Sequence, residues 1–106
     1  MNHKELKETI IQLIDNIVSR IEQLNNYTSE QEVEIKERFI FLIEDLDILI
    51  KGVEHFDPEQ NNGELFYILN RLVEILENNE FYLLQDVLSQ ELSPILLHWR
   101  GIIDNE

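Results

Sequence analysis

Three histidines, His3, His55 and His98, have the widest chemical repertoire in this chain, and no cysteine accompanies them. Zinc needs three or four ligands converging on one point, and these histidines lie far apart in the sequence. A dinuclear iron or manganese bundle repeats Glu-x-x-His on facing helices. The residue three before His98 is Ile95, and no Glu-x-x-His occurs anywhere in the chain. His98 therefore reads as a surface or partly buried helix residue. The missing thiol removes disulfides, thiolate metal sites and cysteine nucleophiles together. Neither a metal nor a cofactor is expected.

Carboxylate pairs three residues apart occur at Glu5/Glu8, Glu34/Glu37, Glu44/Asp47 and Glu74/Glu77. Helical magnesium-dependent nucleotide hydrolysis needs a Glu-x-x-Glu and a Glu-x-x-Asp pair brought together on one ion. Here the pieces are widely separated, and Glu44/Asp47 lies on the outward side of its helix. In a chain with 22 acidic residues such pairs arise by chance. Ser19, Ser29, Ser89 and Ser93 lack a histidine–carboxylate set, and Ser29 and Ser93 stand where helices begin. A helical ribonuclease site needs arginine and histidine close on one helix, and neither Arg20 nor Arg71 has a histidine within one turn. There is no glycine-rich phosphate loop. Asp57, Gln60 and Gly63 do not supply the alternating oxygen ligands of a calcium loop. The chain reads as non-catalytic.

Charge narrows the partners. Eight Lys and Arg stand against 22 Asp and Glu, for a formal net charge of -14. Phosphate backbones and anionic lipid heads need local positive charge, so direct nucleic-acid binding and membrane binding are not expected. A basic protein surface is the natural long-range attractor. Residues 28 to 64 concentrate the effect, with 11 acids and only Lys36, Arg38 and Lys51 as bases. No window has the uninterrupted apolar run of a membrane helix, and "MNHKELKETIIQLIDNIV" lacks the layout of a secretory signal. A cytoplasmic location is expected.

These residues must be positioned by helices. The chain is 43% hydrophobic with three glycines and two prolines, too few turn formers for an all-β domain. Its apolar residues recur at helical spacing. Leu6, Ile10, Leu13, Ile17, Ile21 and Leu24 mark a first helix over about 4–24, widened by Ile11, Ile14 and Val18. A second runs over about 30–53, with Ser29/Glu32 or Thr28/Gln31 as its capping box. Asp57 and Pro58 suit the start of a short helical turn, and Asn61, Asn62 and Gly63 interrupt the pattern. Leu65, Leu69, Leu72 and Leu76 define a third helix over about 64–77, with Phe66, Ile68, Val73 and Ile75 beside them. Leu84, Leu88, Leu92, Ile95, Trp99 and Ile102 define a fourth over about 80–103, kinked or restarted at Pro94. The expectation is a single all-α domain over residues 1–106, a small up-and-down antiparallel bundle of four helices.

The stretch "FIFLIEDLDILI" at 39–50 carries the functional information. Ile35, Phe39, Leu42, Leu46, Leu49 and Val53 alternate four and three apart and form a seam at heptad positions a and d. Ile43 and Ile50 at e extend that face. Phe41 and Ile48 fall at c, outside it, with Glu44, Asp45 and Asp47 on the ridge between. One helix in a small bundle has a single core face, so Phe41 and Ile48 are candidates for a protein contact. Ile11 and Val18, seven apart on the first helix, are a similar hint. Trp99 follows Pro94 in the apolar phrase "LSPILLHWRGII" and would be the strongest contact residue if it were exposed.

The function expected from these features is a non-catalytic, acidic helical protein-binding module, such as an adaptor, regulator or export-type chaperone. The alternatives are an acidic antagonist of a basic protein (immunity protein, antitoxin or nucleic-acid mimic) and a structural or phage-type component. Small helical proteins with surplus apolar surface often pair to hide it. A homodimer with Phe41 and Ile48 near the contact is therefore expected, together with another protein as partner.

Overall fold

The computed structural model describes residues 2–57 and 63–105. Helix α1 spans His3–Leu24, a short 3-10 turn at Ser29–Gln31 leads into α2 at Glu32–Phe56, and α3 spans Gly63–Glu77. The last arm joins α4 (Phe81–Val87), a π-helical turn (Leu88–Leu92) and α5 (Ser93–Asp104) without a break. The chain is thus a four-helix bundle with a modified last helix, and the described residues contain no strand. It measures 44 × 22 × 21 Å. α1 packs against α2 and α5, and α3 packs against α4 and the π-turn. Pro58, Asn61 and Asn62, expected in a turn, lie outside the described residues, whereas Asp57 ends α2 in extended conformation.

Local chemistry sets the ends. The Asn2 side chain accepts the Glu5 amide at 2.8 Å and starts α1. Of the two capping registers before α2, Thr28/Gln31 is used: the Thr28 amide donates to Gln31 Oε1 at 3.0 Å. The link from α3 to α4 turns on Asn79, whose φ of 58° is left-handed. The Asn79 amide donates to the Leu76 carbonyl and the Glu80 amide to the Ile75 carbonyl, the paired bonds of a Schellman motif. Gln85 reaches across the bundle, its amide donating to the carbonyls of Leu24 and Tyr27 at the end of α1.

The core follows the helical stripes, with three shifts of phase. On α1 it runs through Ile10, Ile14, Ile17, Ile21 and Leu24, so Ile14 replaces Leu13 in the interior. On α3 it runs through Leu65, Ile68, Leu72 and Ile75, leaving Leu69 and Leu76 partly buried and Phe66 exposed. The third shift is in the last arm. Leu84, Leu88, Leu92 and Leu96 are all buried at four-residue spacing. Four residues overshoot an α-helical turn by about 40°, so three such steps would rotate the row off the core. The π-turn cancels part of that rotation: the Ser93 amide donates to the Leu88 carbonyl five residues back. The buried stripe then continues through Trp99 and Ile103, not through the expected Ile95 and Ile102.

Pro94 explains why the wider turn stands there. Proline has no amide to donate, and in an α-helix its ring crowds the carbonyl four residues earlier. The π-turn ends at Leu92, two residues before Pro94, and loosens the turn that precedes the proline. The expected disturbance at Pro94 is thus a kink made by a widened turn that joins α4 to α5, not a stop.

Trp99 is 4% exposed and belongs to the core. Trp99→Ala should lose about 3–5 kcal/mol in urea unfolding, and Leu97→Ala, on the outer side of the same helix, should stay within about 0.5 kcal/mol of wild type. Equal losses would contradict the phase assigned to α5.

Candidate functional site

α2 explains its own two faces. At about 100° per residue, Ile35, Phe39, Leu42, Leu46, Leu49 and Val53 share one side, and all six are buried. Ile50 joins them, and Ile43 is partly buried at the edge. Phe41 is 60% and Ile48 58% exposed on the other side. Val33 and Ile40, also exposed, run alongside as a second apolar row. The helical phase puts exposed Glu37 and Glu44, seven residues apart, between these rows. The outer face is therefore an acidic line flanked by apolar residues, not one continuous greasy patch.

Two shallow depressions meet at Phe41. One, of roughly 170 Å³, is lined by Arg20, Gln23, Leu24, Arg38 and Phe41 and lies between α1 and α2. The other is lined by Glu34, Glu37, Arg38 and Phe41. Phe41 thus stands as a ridge shared by both hollows, as does Arg38, with Arg20, Gln23 and Leu24 completing the first lining and Glu34 and Glu37 the second. Arg20 is held by Asp45 of α2, and its Nε is buried without a hydrogen-bond partner. Arg38 lies over the Tyr27 ring at 5.4 Å.

Arginines recur at the helix contacts. Arg20 bridges to Asp45 between α1 and α2, Arg71 to Glu91 between α3 and the π-turn at 2.5 Å, and Arg100 to Asp15 between α5 and α1 at 2.7 Å and 3.2 Å. The α1–α2, α3–π-turn and α1–α5 contacts each carry a guanidinium–carboxylate tie, a geometry suited to planar arginine. The hydrogen bond and then the charge of Asp15 raise the Arg100 pKa above its usual value. On α2, Lys51 donates to Asp47 at 2.8 Å. That hydrogen bond, then the carboxylate charge, raises the Lys51 pKa too. Arg20, Lys51, Arg71 and Arg100 are thereby matched to carboxylates.

The remaining residues singled out in the sequence fall elsewhere. Ile11 and Val18 are partly buried against the core and do not form an open strip. Trp99 lies in the interior and cannot touch a partner of the folded chain. Phe41 and Ile48 alone of the five contact candidates are exposed. His3 stacks on Phe56 with ring centroids 4.3 Å apart, and His55 and His98 are exposed. Among the described residues no group of three or more His, Asp or Glu side chains is placed to hold a metal ion. None of the described helices is long and apolar enough to cross a membrane. A further hollow follows the π-turn, lined by Tyr67, Gln90, Glu91 and Pro94 among others; it is bordered by the Arg71–Glu91 tie. The hollows beside Phe41 escaped sequence reasoning because they depend on how α1 and α2 are rotated against each other. The exposed Arg38 one turn from Phe41 was the available signal. Comparison with family models, with curated proteins and with solved structures finds no match.

The ties differ in how much water surrounds them. Asp45→Asn removes the carboxylate from a largely enclosed guanidinium and should lower stability by about 1 kcal/mol. Asp47→Asn, in the exposed Lys51 pair, should change it by less than about 0.5 kcal/mol. Urea titration of both variants checks this, and a larger loss at Asp47 would reverse the assignment.

Proposed function

We propose that this chain is a non-catalytic acidic helical module that binds another protein through the outer face of α2. The observation that supports this reading is the pair Phe41 and Ile48: two large apolar side chains a heptad apart, both more than half exposed on a helix whose other face already fills the core. Leaving such groups in water forgoes their burial energy, roughly 1.5–3 kcal/mol for each side chain when fully covered. An apolar surface set among carboxylates is a usual form for a contact that must stay soluble until it is occupied. The rigid seam beneath Phe41 and Ile48 holds them ready, so little ordering entropy opposes binding. An adaptor, regulator or chaperone role agrees with such a face. A non-catalytic role is in keeping with the histidines: His3 at the start of α1 stacks on Phe56 beside His55, and His98 is on the outer side of α5.

The acidic-antagonist reading draws on the same surface. The arginine ties engage positive charge with carboxylates between helices, so it does little to soften the acidic exterior. The homodimer expected from surplus apolar surface competes for the same face.

Ile48→Glu tests the proposal. The variant should keep the helical circular dichroism and the cooperative unfolding of wild type, because Ile48 lies outside the core. A protein retained by the wild-type chain should be released by the variant, with affinity at least tenfold weaker, since a charge in a desolvated contact is disfavoured by about 1.4 kcal/mol or more. Light scattering on both chains reads any self-association. A folded variant that retains the same partner with unchanged affinity contradicts the proposal. Loss of the fold contradicts the placement of Ile48 outside the core.

A further inference from the structure

We infer that the occupant of the α2 face is a cationic amphipathic helix of a different protein, its basic residues lying along the line of Glu37 and Glu44 and its apolar residues on either side. The inference rests on the binding role proposed above and names the partner's chemistry. Three features carry it. The first is the order of rows: Val33 and Ile40 on one flank, Phe41 and Ile48 on the other, with exposed Glu37 and Glu44 between. A partner that buries the flanks must also cover the carboxylates, and a buried carboxylate without a partner is strongly disfavoured. Lysine or arginine on the incoming segment resolves this, because its long stem packs on apolar surface while its head reaches the acid.

The second feature is the pair of hollows beside Phe41. The hollow between α1 and α2 is lined by Phe41 and Leu24 together with Arg20, Gln23 and Arg38, and its Phe41 wall gives an apolar side chain a surface to pack on. The neighbouring one has Glu34 and Glu37 in its lining against the single cation Arg38, a net negative lining that suits a cation. An apolar and a basic residue on one face of a helix would straddle the Phe41 ridge, which is the helix-in-groove mode of recognition.

The third feature is charge, and it disfavours a second copy. Each chain carries a net charge of -14. An antiparallel two-fold contact sets Glu44 against its own counterpart when the axis passes through it, and sets Glu37 against Glu44 of the other copy when the axis lies midway between them. Lys51 lies on the same line and could face Glu37 of the other copy, but it is already hydrogen-bonded to Asp47. A cationic segment meets no such opposition and is also steered from a distance.

The test uses synthetic helical peptides of about 18 residues, five turns of helix. One carries leucines along one face with lysines beside them, a second has glutamate for lysine, and a third has serine for leucine. Backbone amide shifts of the full chain are followed on titration, with circular dichroism and light scattering on every variant. The lysine–leucine peptide should move amides between Val33 and Lys51, and its affinity should fall about tenfold or more from low to high salt. The glutamate peptide should not bind, and the lysine–serine peptide should bind at least tenfold more weakly. Glu37→Gln with Glu44→Gln should weaken the lysine–leucine peptide about tenfold at low salt, and Phe41→Ser with Ile48→Ser should abolish its localised shifts. Unchanged affinity in the double glutamine variant, or equal binding of the lysine–leucine and glutamate peptides, overturns the charge assignment while leaving the face as a docking surface. Unchanged binding in the double serine variant overturns the face itself and the proposed function with it. Equal binding of the lysine–serine peptide reduces the effect to net charge and overturns the inference, as does a stable dimer that excludes the peptide from this face.

Discussion

A helix in a four-helix bundle can turn only part of its circumference toward the core, and any apolar side chain beyond that arc must be covered by something else or remain in water. α2 meets this limit. Its a and d positions, with Ile50, are buried against the rest of the bundle. Phe41 and Ile48 lie outside the arc, and no repacking of single side chains can bring them in without expelling Phe39 or Leu49. The exposed face is therefore a consequence of the same periodicity that builds the core. Fold and proposed function share one physical cause: more apolar residues on α2 than one core-facing stripe can hold.

The last arm obeys the same limit by another means. Its leucines at 84, 88, 92 and 96 keep a four-residue interval that an unmodified α-helix would carry off the core. The π-turn restores the phase, gives Pro94 room and still delivers Trp99 to the interior. Around this interior, arginines tie neighbouring helices to one another. Such ties are modest in net energy where water reaches them, yet they disfavour rotated or slipped arrangements in which a guanidinium would lose its acid.

Helix number, order and approximate limits were legible in the sequence because the apolar stripes are long and the breaks between them are marked by capping or turn residues. The outward placement of Phe41 and Ile48 was legible because the a/d seam of α2 is regular over its whole length. The π-turn was not. Pro94 signalled a disturbance, but a proline alone does not say whether a helix stops, bends or widens, and the shift of the stripe to Leu96 and Ile103 followed from that choice. Trp99 could be read either way, since indole suits both a core and a contact. Ile11 and Val18 resemble Phe41 and Ile48 in spacing but differ in outcome. α1 has neighbours on two sides, and its flanking residues reach partial cover there. The hollows beside Phe41 depend on the relative rotation of two helices, which no single helical pattern encodes.

The central claim is that α2 buries one face and offers the other to solvent in the free chain. Methyl NMR with a soluble gadolinium chelate tests it most directly, since the chelate broadens only signals it can approach. The account predicts that the Ile48 methyls broaden at low chelate concentration in dilute protein, while those of Leu49 and Ile50, its immediate neighbours in sequence, remain sharp. Protection of Ile48 equal to that of Ile50, persisting on dilution, would contradict it.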